Sequence, residues 1–282
     1  MIIELKSSES IVKISSLGAE LLSFHSNNTN YIWTIDEKFW NKTSPLLFPI
    51  VGRLKNDEYF FSGKCYKLPR HGFARNLHFE VFEQTENSAA FVIKENQETL
   101  NNYPFCFELT IKYTLNENTL DILYSVKNNS TIAMPFSLGA HPAFRIDSNF
   151  DEYSLHFEKD DILIHHELEN EGFNGKTSLI PLEKNKLALS YSLFEKDAIV
   201  LKTLNSEKVT LLKKNVPYLT VNFKGFPQLG IWTKPRAPFI CIEPWHGFAD
   251  THNCSGNILE KEGINIIQPN EVFTTSLSIQ TL

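Results

Sequence analysis

Two side chains in this sequence stand where acid–base chemistry would place them. Ser-Leu-Gly-Ala-His141-Pro-Ala-Phe and Phe-Ile-Cys-Ile-Glu243-Pro-Trp-His each carry one titratable residue at the end of an apolar run, directly before a proline. A residue before proline is pushed into an extended conformation. Both therefore read as the last residue of a buried strand, with the side chain projecting into a cleft. One imidazole and one carboxylate held this way suffice to move two protons on one small molecule. A carboxylate after Phe-Ile-Cys-Ile is costly to bury without a partner, which makes Glu243 the stronger signal. A lone histidine among apolar residues is more often a hydrogen-bonded core residue. Gly139, which permits close backbone approach, and Pro142, which fixes the exit of the chain, tilt His141 toward function.

Other residues offer binding chemistry. Arg53 ends the run Phe-Pro-Ile-Val-Gly-Arg and presents a fork of donors suited to hydroxyls or a carboxylate, an ordinary salt bridge being the bland reading. Arg70, His71 and Arg75 form a basic loop in a net acidic chain, which suits an anion or a sugar. Trp33, Trp40, Trp232 and Trp245 can supply an apolar platform for a sugar ring, although most tryptophans are core. His165-His166-Glu167 has the composition of a metal site, but adjacent strand residues point to opposite faces, so it reads as exposed surface. No H-E-x-x-H, phosphate-binding Gly loop or G-x-S-x-G elbow is present. Metal hydrolysis, nucleotide use and serine catalysis lose support accordingly.

The elements that must position these groups are strands. Phe107, Leu109, Ile111, Tyr113 and Leu115 alternate with polar residues, as do Leu120, Ile122, Tyr124 and Val126 after a turn at 116–118. Phe273, Thr275, Leu277 and Ile279 repeat the pattern, which marks half-buried antiparallel strands. A hairpin is expected around Ser62-Gly63-Lys64. Short helical turns are the most that Ala19–Phe24 and Asp36–Trp40 allow. No linker, charge block or low-complexity tract divides the 282 residues, so one all-β sandwich domain over 1–282 is expected. The echo of His71-Gly-Phe-Ala in His246-Gly-Phe-Ala has no fixed period and reads as similar turn chemistry.

Composition narrows the partners. The 22 phenylalanines favour strands around a large core, and a net charge of -6 argues against nucleic acid or an anionic membrane. Cys65, Cys106, Cys241 and Cys254 lack C-x-x-C spacing, and Cys106 and Cys241 read as buried thiols. The N-terminus has no secretory pattern, and no stretch reaches the ~20 apolar residues of a membrane span. A cytoplasmic location is the expectation.

Five segments in order resemble the aldose 1-epimerases, or galactose mutarotases, and most closely a bacterial subgroup akin to hexose-6-phosphate 1-epimerases. They are Gly52-Arg53, His71-Gly-Phe-Ala-Arg75, Gly-Ala-His141-Pro, Lys-Asp197-Ala-Ile-Val-Leu and Ile-Glu243-Pro-Trp, spanning nearly the whole chain. The resemblance implies a large antiparallel β-sandwich, the supersandwich, with its site in an open concave face. It implies His141 as general acid and Glu243 as general base, with Arg53, His71 and Asp197 holding sugar hydroxyls. Arg75 would lie near a phosphate if the sugar carries one.

Those roles fit interconversion of α and β anomers through the open-chain aldehyde, with His141 charged and Glu243 ionised together. No metal or organic cofactor is required, the partner is a small-molecule sugar, and the protein is a monomer or homodimer. Pro-Ala-Phe-Arg after His141 replaces the aromatic-Phe-Asn-Leu of the best-known galactose mutarotases, which turns the expectation away from galactose itself. Two alternatives are a carbohydrate-binding protein without catalysis and a polysaccharide lyase. The first leaves the His141–Glu243 combination without a purpose, and the second would call for a long basic groove.

Overall fold

The alternation in the sequence is realised in two ten-residue strands, Phe107–Asn116 and Thr119–Asn128, paired along their whole length. The computed structural model describes residues 1–282. The C-terminal strand Val272–Thr281 adds to the free side of Thr119–Asn128. Further antiparallel strands extend both wings into a nine-stranded sheet. The expected hairpin is present as Glu58–Phe61 and Lys64–Lys67, its Ser62-Gly63 turn having φ of 49° and 76°. Positive φ at both turn residues matches the right-handed twist of the flanking strands.

A second, six-stranded sheet carries the chemistry. Its order is Ile199–Leu201, Gln228–Trp232, Phe239–His246, Leu138–Ala140 and Leu46–Leu47, with Ala143–Arg145 also paired to Phe239–His246. One face of this sheet shares a core of 61 buried residues with the nine-stranded sheet. The architecture is thus a large antiparallel β-sandwich. No helix is long and apolar enough to cross a membrane.

Phe239–His246 is buried at every position, and period two explains why. Ile240 and Ile242 enter the large core, while Phe239 and Cys241 enter one small cluster on the other face and Trp245 another. Glu243 shares that second face. The proline after it does not end the strand, contrary to the reading from the sequence. Ile242 donates its N–H to Pro142 O at 3.3 Å, so Pro244, two residues on, turns its donorless nitrogen toward the same neighbour. There the ladder is already interrupted, between Leu138–Ala140 and Ala143–Arg145. Gly139 pairs with Trp245 and Ala143 with Cys241, so the same register sets His141 opposite Glu243.

One helical expectation is corrected and the other holds. Leu21–Ser26 is a strand, whereas Asp36–Trp40 is a single helical turn in which the Phe39 and Trp40 N–H groups both donate to Asp36 O. The α-helix lies instead at Gln97–Asn102, where Asn96 and Thr99 cap each other reciprocally.

Close approach on the outer face depends on glycine. A Cβ at Gly139 would meet Trp245 Cδ1 at 2.7 Å, and one at Gly230 would meet Trp245 Cζ2 at 2.3 Å. The indole therefore lies flat across two neighbouring strands beside Glu243. Gly230→Ala is expected to lower stability by about 1–3 kcal/mol through overpacking. An unchanged urea midpoint would show that the indole has room to move.

Candidate active site

Over the outer face of the six-stranded sheet lies a cavity of about 320 Å³. Three segments wall it: the loop bearing Trp40, the basic loop 70–75, and the hairpin Ile162–Glu169 with Gly172–Pro181, which contributes Leu168, Glu171 and Phe173. His141 and Glu243 lie on its sheet side, with Nε2 and Oε2 3.2 Å apart. The His141 ring is bracketed by Trp40, Trp232 and His71, at centroid distances of 5.0, 5.8 and 5.9 Å. Its Nδ1 is buried without a hydrogen-bond partner.

Burial dominates the electrostatics of this pair, whose side chains are 9 % and 3 % exposed. It pushes the His141 imidazole down to about 3, a shift reinforced by Arg70 and Arg75. Burial also lifts the Glu243 carboxyl well above the usual range, against the Arg70 charge and the Trp245 indole and with help from Asp197. Both directions favour a carboxylic acid against a neutral imidazole. That differs from the doubly charged pair expected from the sequence, because loss of water outweighs the mutual attraction of the charges.

Surrounding contacts hold the walls. The buried Glu20 carboxylate accepts from Thr43 N at 2.7 Å, from Thr43 Oγ1 at 3.0 Å and from Ser44 N at 3.1 Å, anchoring the segment that carries Trp40. His71 has left-handed backbone (φ 67°) and is tied to Gly52 by two bonds. Its N–H donates to Gly52 O at 2.8 Å, and its Nδ1 accepts from Gly52 N at 3.1 Å. Arg70 Nε lies 3.1 Å from His71 Nε2. Burial holds this imidazole neutral, and a neutral ring accepts at only one nitrogen, so one of the two contacts yields to the other.

The cavity brings together His141, Glu243, His71, Arg75 and Asp197 from the sequence expectation, along with Arg70, Trp40, Trp232 and Trp245. Asp197 Oδ1 also accepts from the following Ala198 N–H at 2.7 Å. Arg53 is placed differently. Its guanidinium is bidentate to Asp57, at 2.8 and 2.6 Å, also bonds Glu171, and lies in an adjoining groove outside the cavity lining. Trp33 packs in a small core against Phe239 rather than facing the cavity.

Glu171 and Lys234, both lining the cavity, were not found in the sequence. Glu171 sits in an ordinary polar hairpin turn, and its 2.7 Å bond to Arg70 spans 101 positions, so no local pattern announces it. His165 and His166 are half-buried, not exposed, because the hairpin folds back on the sheet and His165 Nδ1 accepts from Val200 N–H at 3.1 Å. Cys106 is only half-buried, whereas Cys241 is fully enclosed as expected. The two His-Gly-Phe-Ala segments share a positive-φ glycine, but His246 turns into the core against Phe226 and Phe273.

The outer face of the sandwich pairs a buried imidazole with a buried carboxylate in a polar and aromatic cavity, an arrangement suited to acid–base chemistry on a small molecule. The aldose 1-epimerase family model matches residues 1–264, and the chain belongs to that family. It is 37% identical to the chromosomal protein LacX of Lactococcus lactis over 302 aligned positions, covering both chains completely. Among solved structures it is similar to a galactose mutarotase related enzyme from Lactobacillus acidophilus. That likeness has a TM-score of 0.96 and 34% identity, and covers 100% of this chain and 97% of the other. A galactose mutarotase-like protein from Lactobacillus casei gives 0.94 and 29%, with full coverage of both.

Three buried histidines couple this arrangement to pH. His71, His141 (to about 3) and His246 (to about 4) are depressed by burial, while Glu243 is raised. Between the unfolded values for Glu and His, the unfolded chain holds three protons that the folded histidines refuse. The folded state keeps one, on Glu243, that the unfolded chain has lost. The net two protons favour unfolding as pH falls, by about 1.4 kcal/mol per proton per pH unit. Stability of these groups is thus full just above pH ~6.5 and is lost progressively as pH falls toward the folded values of about 4 for His246 and about 3 for His141. Urea denaturation at pH 7 and pH 5 measures it, and equal stabilities would mean these histidines are protonated in the fold.

Proposed function

We propose that the protein interconverts the α and β anomers of a hexose or related sugar, with His141 as acid and Glu243 as base. The observation that carries this reading is the 3.2 Å contact between the two side chains in the wall of a sugar-sized cavity. Glu243 takes the proton from the C1 hydroxyl while His141 protonates the ring oxygen, and the C1–O5 bond breaks. Rotation about C1–C2 and reclosure with the transfers reversed deliver the other anomer. An acid form beside a neutral imidazole holds as many protons as a carboxylate beside an imidazolium. One proton shift along the contact therefore converts the resting pair into the working pair, with no proton drawn from solvent.

His71, Arg70 and Asp197 are the groups we assign to sugar hydroxyls, and Trp40, Trp232 and Trp245 to the apolar faces of the ring. Arg53 is assigned an indirect part, since it holds Glu171 at the cavity rim. The reading treats residues 1–282 as one catalytic domain, supported by the shared core of both sheets.

A phosphorylated sugar is favoured by a separate observation. Arg75 is half-buried and lines the cavity without a carboxylate partner, its guanidinium donating to Arg70 O at 2.7 Å, and Lys234 lines the same cavity unpaired. Burial and Arg70 both depress the Arg75 guanidinium, so an anion there would relieve an unfavourable position.

Anomer exchange followed by NMR on glucose, galactose and their 6-phosphates tests both statements. Glu243→Gln should lower exchange by roughly 10²–10⁴-fold while sugar binding persists. Exchange near the wild-type rate in that variant would remove Glu243 as base. Arg75→Met should weaken the 6-phosphates selectively, by roughly the tenfold or more that a lost charge-assisted bond of about 1.5–3 kcal/mol implies. Equal loss on both sugar classes would sink the phosphate assignment.

A further inference from the structure

We propose that Cys241, His141 and Glu243 form a reversible site for zinc or a similar thiophilic divalent cation, and that filling it blocks the acid–base pair. Cys241 and Glu243 are two residues apart on one strand, on the same face, and His141 opposes Glu243 from the gap between the neighbouring strands Leu138–Ala140 and Ala143–Arg145. Their ligand atoms all lie within 4.8 Å of one another. The donor set of one sulfur, one nitrogen and one carboxylate oxygen suits zinc, whereas magnesium and calcium call for oxygen alone.

The geometry is near what such an ion needs. Bonds of about 2.0–2.3 Å in a tetrahedron put ligands about 3.4 Å apart. Nε2 and Oε2 are already 3.2 Å apart and the Cys241 sulfur lies within 4.8 Å of both, so the sulfur and its partners need to close by no more than about 1.5 Å. His141 and Glu243 line the cavity, which provides the entry path and room for a water or sugar hydroxyl as fourth ligand. Coordination sends the thiol proton and the proton shared by the pair to solvent.

One feature separates this site from that of a resident cofactor. A histidine that permanently holds zinc donates its other ring N–H to an acceptor, and His141 Nδ1 has none. The affinity is accordingly that of a reversible inhibitor.

Binding is measured on the whole protein, by calorimetry with zinc and by the ultraviolet thiolate-to-metal band with cadmium. Wild type should bind one ion and show the band. Cys241→Ser and Cys241→Ala should lose the band and weaken zinc by more than the roughly 10–100-fold that an outer-shell partner costs. Two replacements of different polarity, each checked by a cooperative denaturation curve, guard against a folding defect. Cys254→Ser should retain band and affinity. No band in wild type, or a band that survives in a folded Cys241→Ala, overturns the site. The blocking effect rests on the catalytic reading above and is tested apart, by anomer exchange over the same zinc range. Binding at Cys241 without loss of exchange would overturn the blocking effect and the catalytic role of the pair, and leave the metal site standing.

Discussion

The removal of water from one carboxylate is the constraint on which the site depends. Glu243 sits inside a central strand, on the face opposite the large core, where a charged group is normally left to solvent. Here that face is roofed by the 162–181 hairpin and the Trp40 loop, so the carboxyl is 2 % exposed as a residue. An isolated carboxylate in that position would be strongly disfavoured. Its stability rests on His141, set opposite it by the strand register, and on the positive field of Arg70.

That constraint explains features that otherwise look unrelated. Pro142 and Pro244 remove ladder donors at the same place, which opens the sheet locally and lets two polar side chains meet there. Gly139 and Gly230 make space for the Trp245 indole, which excludes water beside Glu243. Glu20, far from the chemistry, binds the Trp40 segment through three hydrogen bonds and so closes the other side. The rim is polar and charged: Arg70 and Arg53 share Glu171, while Arg75 and Lys234 keep their charges unpaired toward the cavity. The buried pair thus lies beneath a rim that carries unpaired positive charge.

Dryness also makes proton position the adjustable quantity. In water a histidine beside a glutamate would hold the proton on nitrogen; here burial favours carboxyl and neutral ring. The two arrangements differ by a single shift within one contact. A ligand that brings hydroxyl dipoles into the cavity alters that balance without any change in total charge.

Much of the fold was legible in the sequence, because alternation with period two is a local property. The strands Phe107–Asn116, Thr119–Asn128 and Val272–Thr281 and the Ser62-Gly63 hairpin follow from side-chain pattern and turn chemistry alone. The X-Pro steps marked His141 and Glu243 because a polar residue in an apolar run is costly wherever it folds. Pattern failed where long-range pairing overrides it. Leu21–Ser26 pairs as a strand, and Glu243 stays mid-strand because its proline meets a gap in a neighbour more than a hundred residues away. Only the tertiary structure could decide that His141 faces Glu243, that Glu171 reaches Arg70, that Arg53 turns away from the cavity, and that burial favours the uncharged forms of the pair. Each depends on register between distant strands or on how much water the finished fold excludes, and neither quantity is written in any short stretch of chain.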